Sequence, residues 1–185
     1  FGDYAMDTCG TGGDNKQSFN FSTAVAILLS ACGVKIVKHG NRSITSKSGS
    51  FDVLESLGID INLKPEKLEK FLEKNGICFL FAPNYHTTMK KVASTRKNLP
   101  FKTIFNLLGP LLNPCKLTYQ LLGVSNKNNL ITHAMCLKEF NIKKAWVVYN
   151  HNGYDEMTTT SANSIIEISK KKISKEIIIN PQELG

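Results

Sequence analysis

The chain has 185 residues, 42% of them hydrophobic and 21% charged, with a formal net charge of +8. That is enough chain and enough apolar side chain for one domain with a core, so disorder is not the default, and no run approaches the roughly 18 apolar residues of a membrane helix. The surplus charge does not specify nucleic acid: residues 1–60 hold five Lys or Arg against six Asp or Glu, the downstream excess lies partly in KKK at 170–172, and PEKLEKFLEKNG alternates Lys with Glu and reads as a solvated face.

The start, Phe1-Gly2-Asp3, has neither the basic n-region of a signal peptide nor an initiator methionine, and reads as a soluble piece of a longer chain. Cysteines at 9, 32, 78, 115 and 136 are odd in number, widely spaced and without a CxxC pair. They argue against a disulfide framework and a zinc site and for a reducing cytoplasmic setting. Cys9 is either a reactive thiol or a small buried hydrophobe, and the second reading is preferred.

In chain order, residues 4–8 read as a strand entering DTCGTGGD, residues 7–14. NFSTAVAILLSACG reads as a helix with Asn20, Ser22 and Thr23 as candidate caps and Gly33 as its stop. VKIVK at 34–38 is a buried-strand candidate, followed by a loop over 39–50 and a helix near 50–57 that stops at Gly58. A helix over 65–75 starts at Pro65, ICFLF at 77–81 is a strand, and a helix spans about 86–98. TIFNLLGPLLNP is a short helix broken at Gly109-Pro110. YQLLGV is a strand, 127–140 a helix and KAWVVYN a strand. Residues 157–179 turn to short β-branched runs, a hairpin or edge strands. Strands alternating with helices predict an α/β domain with a largely parallel central sheet flanked by helices.

Three polar loops follow predicted strands, over 9–20, 39–50 and 150–156, and in such sheets ligands bind where those loops emerge. Three glycines within residues 10–13 leave the backbone bare ahead of a helix N-terminus, which in physical terms is a phosphate cradle. It is neither a Walker loop nor a dinucleotide fingerprint, and a glycine-rich tight turn is the plain alternative. The second loop packs Lys38, His39, Asn41, Arg42, Lys47 and five hydroxyl residues into KHGNRSITSKSGS, donors suited to phosphate oxygens. In the third, Asp155 and Glu156 stand side by side; such a pair can share hard divalent cations with substrate phosphates, or simply face water.

Taken in order, DTCGTGGD, NFST, KHGNRSITSKSGSFDVLESLG, FAPNYHTTMKKVASTRKNLPFKTIFNLLGPLLNP and NGYDEM resemble the anthranilate phosphoribosyltransferases of tryptophan biosynthesis over about residues 5–160. The resemblance implies a partial catalytic domain over residues 1–185, the large domain of the nucleoside-phosphorylase and phosphoribosyltransferase architecture, without the family's preceding small helical domain and its closing C-terminal elements. It implies weak turnover by this stretch alone. The implied substrates are 5-phosphoribosyl-1-pyrophosphate and anthranilate, with Mg²⁺ as two ions, in a cytoplasmic homodimer with no membrane or nucleic-acid partner.

The resemblance places Gly10, Gly13, Asp14, Ser18 and Asn20 along the donor. It makes Lys38, His39, Gly40, Asn41, Arg42, Ser43, Ile44, Thr45 and Ser46, with Ser50, the phosphate-binding loop. Gly10, Asn41 and Arg96 would contact anthranilate, and Ser22, Asp155 and Glu156 would hold the metal. His86 belongs to the acceptor channel or is a packed core histidine. Thr87-Thr88 and Ser94-Thr95 depart from the family's frequent Pro-Ala and Pro-Val. The competing readings are a pyrimidine-nucleoside phosphorylase and a non-catalytic, nucleic-acid-binding relative of the same fold.

Overall fold

In a computed structural model of the chain, residues 5–14, 16, 18–42, 49–91 and 103–184 are described. The strands are β1 (Met6–Gly10), β2 (Ile36–Gly40), β3 (Ile77–Phe81), β4 (Tyr119–Gly123), β5 (Lys144–Asn150), β6 (Asn163–Ser169), β7 (Lys172–Ile173) and β8 (Ile177–Ile179). The helices are α1 (Phe21–Ala31), α2 (Ser50–Ser56), α3 (Pro65–Asn75), α4 (Ala82–Tyr85), α5 (Thr87–Lys91), α6 (Phe105–Leu108) and α7 (Asn129–Glu139), with 3₁₀ turns at Gly109–Leu111 and Pro181–Glu183.

The strands form one sheet in the order β3-β2-β1-β4-β5-β6-β7, with β8 beside β6. The pairs from β3 through β5 are parallel, and β6 runs antiparallel to β5. The largely parallel sheet expected from the sequence is therefore present. The chain leaves β1 for β2 on one side and returns to β4 on the other, so the strand order reverses between β1 and β4. Their last residues, Gly10 and Gly123, lie in register, and the carboxyl ends of strands at such a reversal form the natural binding crevice.

Both faces of the sheet are covered, which is why its strands are apolar runs rather than alternating ones. On β3, Cys78 and Leu80 join Leu68 and Leu72 of α3, while Phe79 and Phe81 pack with Phe51 and Leu54 of α2. Lys and Glu at the remaining positions of α3 face solvent. That helix opens at Pro65 and is closed by Gly76 at a φ of 72°, the left-handed conformation glycine tolerates best. On the far side, Leu122, Val147 and Ile168 pack against Leu130, Ala134 and Leu137 of α7.

Several boundaries differ from the sequence reading. β1 runs on through Cys9 and Gly10, and β2 through His39 and Gly40, because pairing with β4 and β3 continues to those residues. Among the described residues no side chain caps α1; the Asn20 carbonyl instead receives the amides of Thr23 and Ala24. The helix expected from residue 86 begins as α4 and α5 on either side of His86, and residues 92–98 lie outside the described ones. β6 is a buried interior strand, flanked by β5 on one side and by β7 and β8 on the other. Among the described residues no helix is long and apolar enough to cross a membrane.

Leu122 is fully buried and Met135 is 58% exposed on α7. Leu122→Ala is expected to cost about 2–5 kcal/mol of unfolding free energy, and Met135→Ala no more than about 0.5 kcal/mol, both measured by equilibrium urea denaturation.

Candidate functional site

At the reversal point the first and third loops meet. Gly12 and Gly13 adopt φ values of 66° and 69°, and that turn brings the Gly12 amide to Asp155, donating to Oδ2 at 2.7 Å. Ser18 donates to Glu156 Oε2 at 3.1 Å, and the Lys16 ammonium lies 5.3 Å from the centre of the Tyr154 ring. The glycines under this loop are needed for space. A Cβ at Gly123 would collide with the main-chain carbonyl of Asp155, and one at Gly10 with its carboxylate.

The glycine loop is thus less bare than its sequence suggests. The Thr11 amide donates to the Gly123 carbonyl at 2.9 Å, and the Gly12 amide is spent on Asp155, so these two donors hold the protein together before any ligand arrives. Ser125 was not among the residues singled out from the sequence, yet its hydroxyl donates to the Gly12 carbonyl at 3.1 Å and its amide to Thr11 Oγ1 at 3.2 Å. Its sequence signal is its place: Ser125 follows the strand YQLLGV at the same end of the sheet as the other three loops.

Negative charge concentrates here. Burial first, and then Asp155 beside it, push the Glu156 carboxyl up to about 7; Asp14 adds to the effect, while the Ser18 hydroxyl and Lys38 oppose it. Asp14 Oδ1 accepts from the Lys16 amide at 3.2 Å, and Asp14 Oδ2 is buried without a hydrogen-bond partner among the described residues. Crowded acids with an unsatisfied oxygen fit a cation. No group of three His, Cys, Asp or Glu side chains among the described residues closes round a metal position, so a hard cation would need oxygens from its ligand as well.

Lys38 reaches the cluster from the sheet. It is buried on β2, where its ammonium donates to the Thr8 carbonyl and, at 3.1 Å, to Ser22 Oγ. Burial lowers its pKa, and the charges of Asp7 and Glu156 oppose that shift. Asp7 is buried beside it, its carboxyl raised by desolvation against the pull of Lys38; Asn113 donates to Asp7 Oδ2 at 2.9 Å. Lys38 thus lies in the buried strand expected over 34–38, whereas His39 and Gly40 continue that strand and do not belong to the loop expected over 39–50. Burial raises the Cys9 thiol well above its ordinary value, in keeping with the buried-hydrophobe reading.

The described part of the second loop is grouped around α2. Arg42 makes two bonds of 2.7 Å to the Glu55 carboxylate and lies 4.8 Å from the Phe81 ring centre. Asn41 accepts the Arg42 amide, and Ser50 donates to the Asn41 carbonyl at 3.5 Å. Gly40 leaves room for Phe51 and Ser50. Ser43, Ile44, Thr45, Ser46 and Arg96 lie outside the described residues. Asn20 supports the first turn of α1 through its carbonyl only.

On the other side of β2, the Nε2 atoms of His39 and His86 are 3.1 Å apart with the rings at 90°. Desolvation, and then His86, push the buried His39 down to about 4. A histidine that binds its proton less tightly when folded contributes stability above its unfolded value and loses it as the pH falls. Relative to His39→Gln, the parent is expected to lose up to about 3 kcal/mol between about pH 6.5 and pH 4, measured by urea unfolding across that range. Gly123→Ala is expected to displace Asp155 and speed amide hydrogen exchange over residues 151–158. Gly109→Ala, where a Cβ meets nothing within 4 Å, leaves that exchange unchanged.

The glycosyl transferase family, a/b domain, matches residues 2–185. An anthranilate phosphoribosyltransferase of Thermoanaerobacter sp. (strain X514) is 50% identical over 185 residues, covering 99% of this chain and 54% of its own length. The Saccharomyces cerevisiae enzyme solved in complex with PRPP and Mg is 34% identical, with a TM-score of 0.89 over 98% of this chain and 50% of that one. Its complex with 4-fluoroanthranilate is 32% identical, with a TM-score of 0.83 over 96% of this chain and 48% of that one. The chain spans about half the length of the relatives it matches. Sequence pattern, identity and fold agree along the whole stretch, and the chain belongs to the glycosyl transferase family as its α/β domain.

Proposed function

We propose that the protein transfers the 5-phosphoribosyl group of 5-phosphoribosyl-1-pyrophosphate to anthranilate, giving N-(5-phosphoribosyl)anthranilate and pyrophosphate. The observation that carries the proposal is the meeting of the glycine loop with Asp155 and Glu156 at the strand-order reversal, through the Gly12 and Ser18 hydrogen bonds. Support comes also from the relatives named for this activity and from the yeast neighbour complexed with PRPP and Mg.

In this reaction the bond from ribose C1 to the pyrophosphate oxygen breaks as C1 bonds to the anthranilate nitrogen, which then releases a proton. Positive charge builds on the sugar and negative charge on the leaving group, so fixed charges and donors matter more than a strong base. The aromatic amine is neutral at pH 7 and already nucleophilic, and placement supplies much of the remaining rate. Asp155, Glu156 and Ser22 would hold Mg²⁺, as two ions, whose chemistry is to neutralise the pyrophosphate oxygens. Ser22 Oγ has a second lone pair beyond the one that accepts from Lys38. Asp155 is held in place by the Gly12 amide and Glu156 by the Ser18 hydroxyl. Lys38 offsets the charge of Glu156.

Gly10, Gly13, Asp14, Ser18, Asn20, the β2 residues Lys38, His39 and Gly40, and the segment from Asn41 to Ser46 with Ser50 would line the donor, and Gly10, Asn41 and Arg96 the acceptor. The proposal extends, on family resemblance, to a cytoplasmic homodimer. Calorimetry with 5-phosphoribosyl-1-pyrophosphate is expected to show Mg²⁺-dependent binding that Asp155→Ala with Glu156→Ala weakens by more than about 100-fold, beyond the loss seen for partners that merely support metal ligands. Unchanged binding in that variant, or phosphorolysis of thymidine by the parent, contradicts the proposal.

A further inference from the structure

We infer that the side-chain amides of Asn150 and Asn163, with Thr158 and Ser161, form a clamp that positions the carboxylates of Asp155 and Glu156 for divalent-cation capture. This rests on the donor-site reading above and adds positioning residues to it.

Residues 151–162 join β5 to β6 without helix or strand. A connection of that length ordinarily moves over the surface. This one carries two adjacent acids close to a third, Asp14, whose mutual repulsion favours splaying the loop into water. Something must hold it down.

Asn150 and Asn163 are directly paired as the last residues of the β5–β6 ladder, and both are buried, at 0% and 2% exposure. Every polar side-chain atom of the pair is used. Asn150 Oδ1 accepts the Asn152 amide at 3.0 Å and the Ser161 hydroxyl at 2.8 Å. Asn150 Nδ2 donates to Thr158 Oγ1 at 2.9 Å and to Asn163 Oδ1 at 2.8 Å. Asn163 Oδ1 also accepts the Thr158 amide at 3.0 Å, and Asn163 Nδ2 donates to the carbonyls of Thr158 and Ser161 at 2.9 and 3.2 Å. The main chain of Asn150 adds bonds to Tyr154 and Gly153, closing a turn in which Gly153 has a φ of 86°.

The two acids therefore sit at the crown of a bridge pinned on both sides, at 152–154 before them and at 158 and 161 after. Gly10 and Gly123 form the floor. The hairpin itself does not need this arrangement. Elsewhere the buried positions along the same strand pair include Ala145, Val147, Val148, Ile165, Ile166 and Ile168, and apolar residues would close its end at no desolvation cost. A neutral amide supplies donor and acceptor together, whereas an aspartate there would set a charge against the Thr158 and Ser161 carbonyls. A fully satisfied buried network of this kind fixes one geometry.

The test uses the whole protein and leaves both strand asparagines in place. Thr158→Val with Ser161→Ala removes the two loop hydroxyls. Amide exchange over residues 151–158 is expected to rise in the metal-free protein. The Mg²⁺ midpoint for 5-phosphoribosyl-1-pyrophosphate binding, by calorimetry, is expected to rise about 10-fold, while the KM for anthranilate stays within about twofold and saturating Mg²⁺ restores kcat. Thr158→Ser, which keeps its hydroxyl, retains the parental midpoint. If the double variant does not fold, Thr158→Val alone carries the test, with an expected shift of about threefold. A folded variant with a parental Mg²⁺ midpoint and parental exchange overturns the clamp alone. A parent protein with no Mg²⁺-dependent binding overturns the donor-site reading and the clamp with it.

Discussion

The contact on which the site depends is the seating of Asp155 on the carboxyl ends of β1 and β4. It requires two glycines, Gly10 and Gly123, placed opposite each other across a parallel ladder. It also requires the Gly12 amide, turned by consecutive left-handed residues toward the carboxylate. Remove either condition and the third loop has no floor. The glycine cluster therefore serves first to let two protein segments touch.

Beneath that contact the sheet carries an unusual load for its interior. Asp7 and Lys38 are both buried, each shifted toward its neutral form by desolvation and drawn back by the other's charge. Buried charges of this kind contribute little net stability and are costly to break apart. Their use here is positional. Asp7 fixes Asn113, which also donates to the Val37 carbonyl at 2.8 Å. Lys38 joins β2 to β1 through the Thr8 carbonyl and to α1 through Ser22. One cation thus links three of the elements that surround the acids.

The alternation of strands and helices, and the loops at the strand ends, were legible because apolar runs and Gly or Pro punctuation are local signals. α3, with Pro65 at its start and Gly76 at its end, was legible almost to the residue. What could not be read was pairwise. Nothing local to His39 or Gly40 says that β3 continues beside them and keeps them in a strand. Nor does the strand run VKIVK say that Lys38 turns its ammonium inward, because most lysines are exposed. Asn150 and Asn163 look like ordinary turn residues until the antiparallel register sets them face to face. Ser125 stands on a fourth loop, after β4, and its contacts to Gly12 and Thr11 are likewise set by the pairing of β1 with β4.

Arg42 shows how the remaining loop enters this scheme. Its guanidinium is held by Glu55, but that pair is open to solvent, with side-chain exposures of 47% and 38%. An ion pair in water resists exchange only weakly. A phosphate group offers the same planar fork the geometry it finds in a carboxylate, with more charge. Glu55 therefore keeps the arginine extended over Phe81 while leaving the pair open to solvent. By contrast, the bond between the Asn150 and Asn163 amides joins two fully buried partners. The site divides into a rigid side, built from strand ends and amides, and an exchangeable side built from solvent-exposed charge. In the proposed reaction, that division lets the pyrophosphate be gripped against a fixed set of acids and released after transfer.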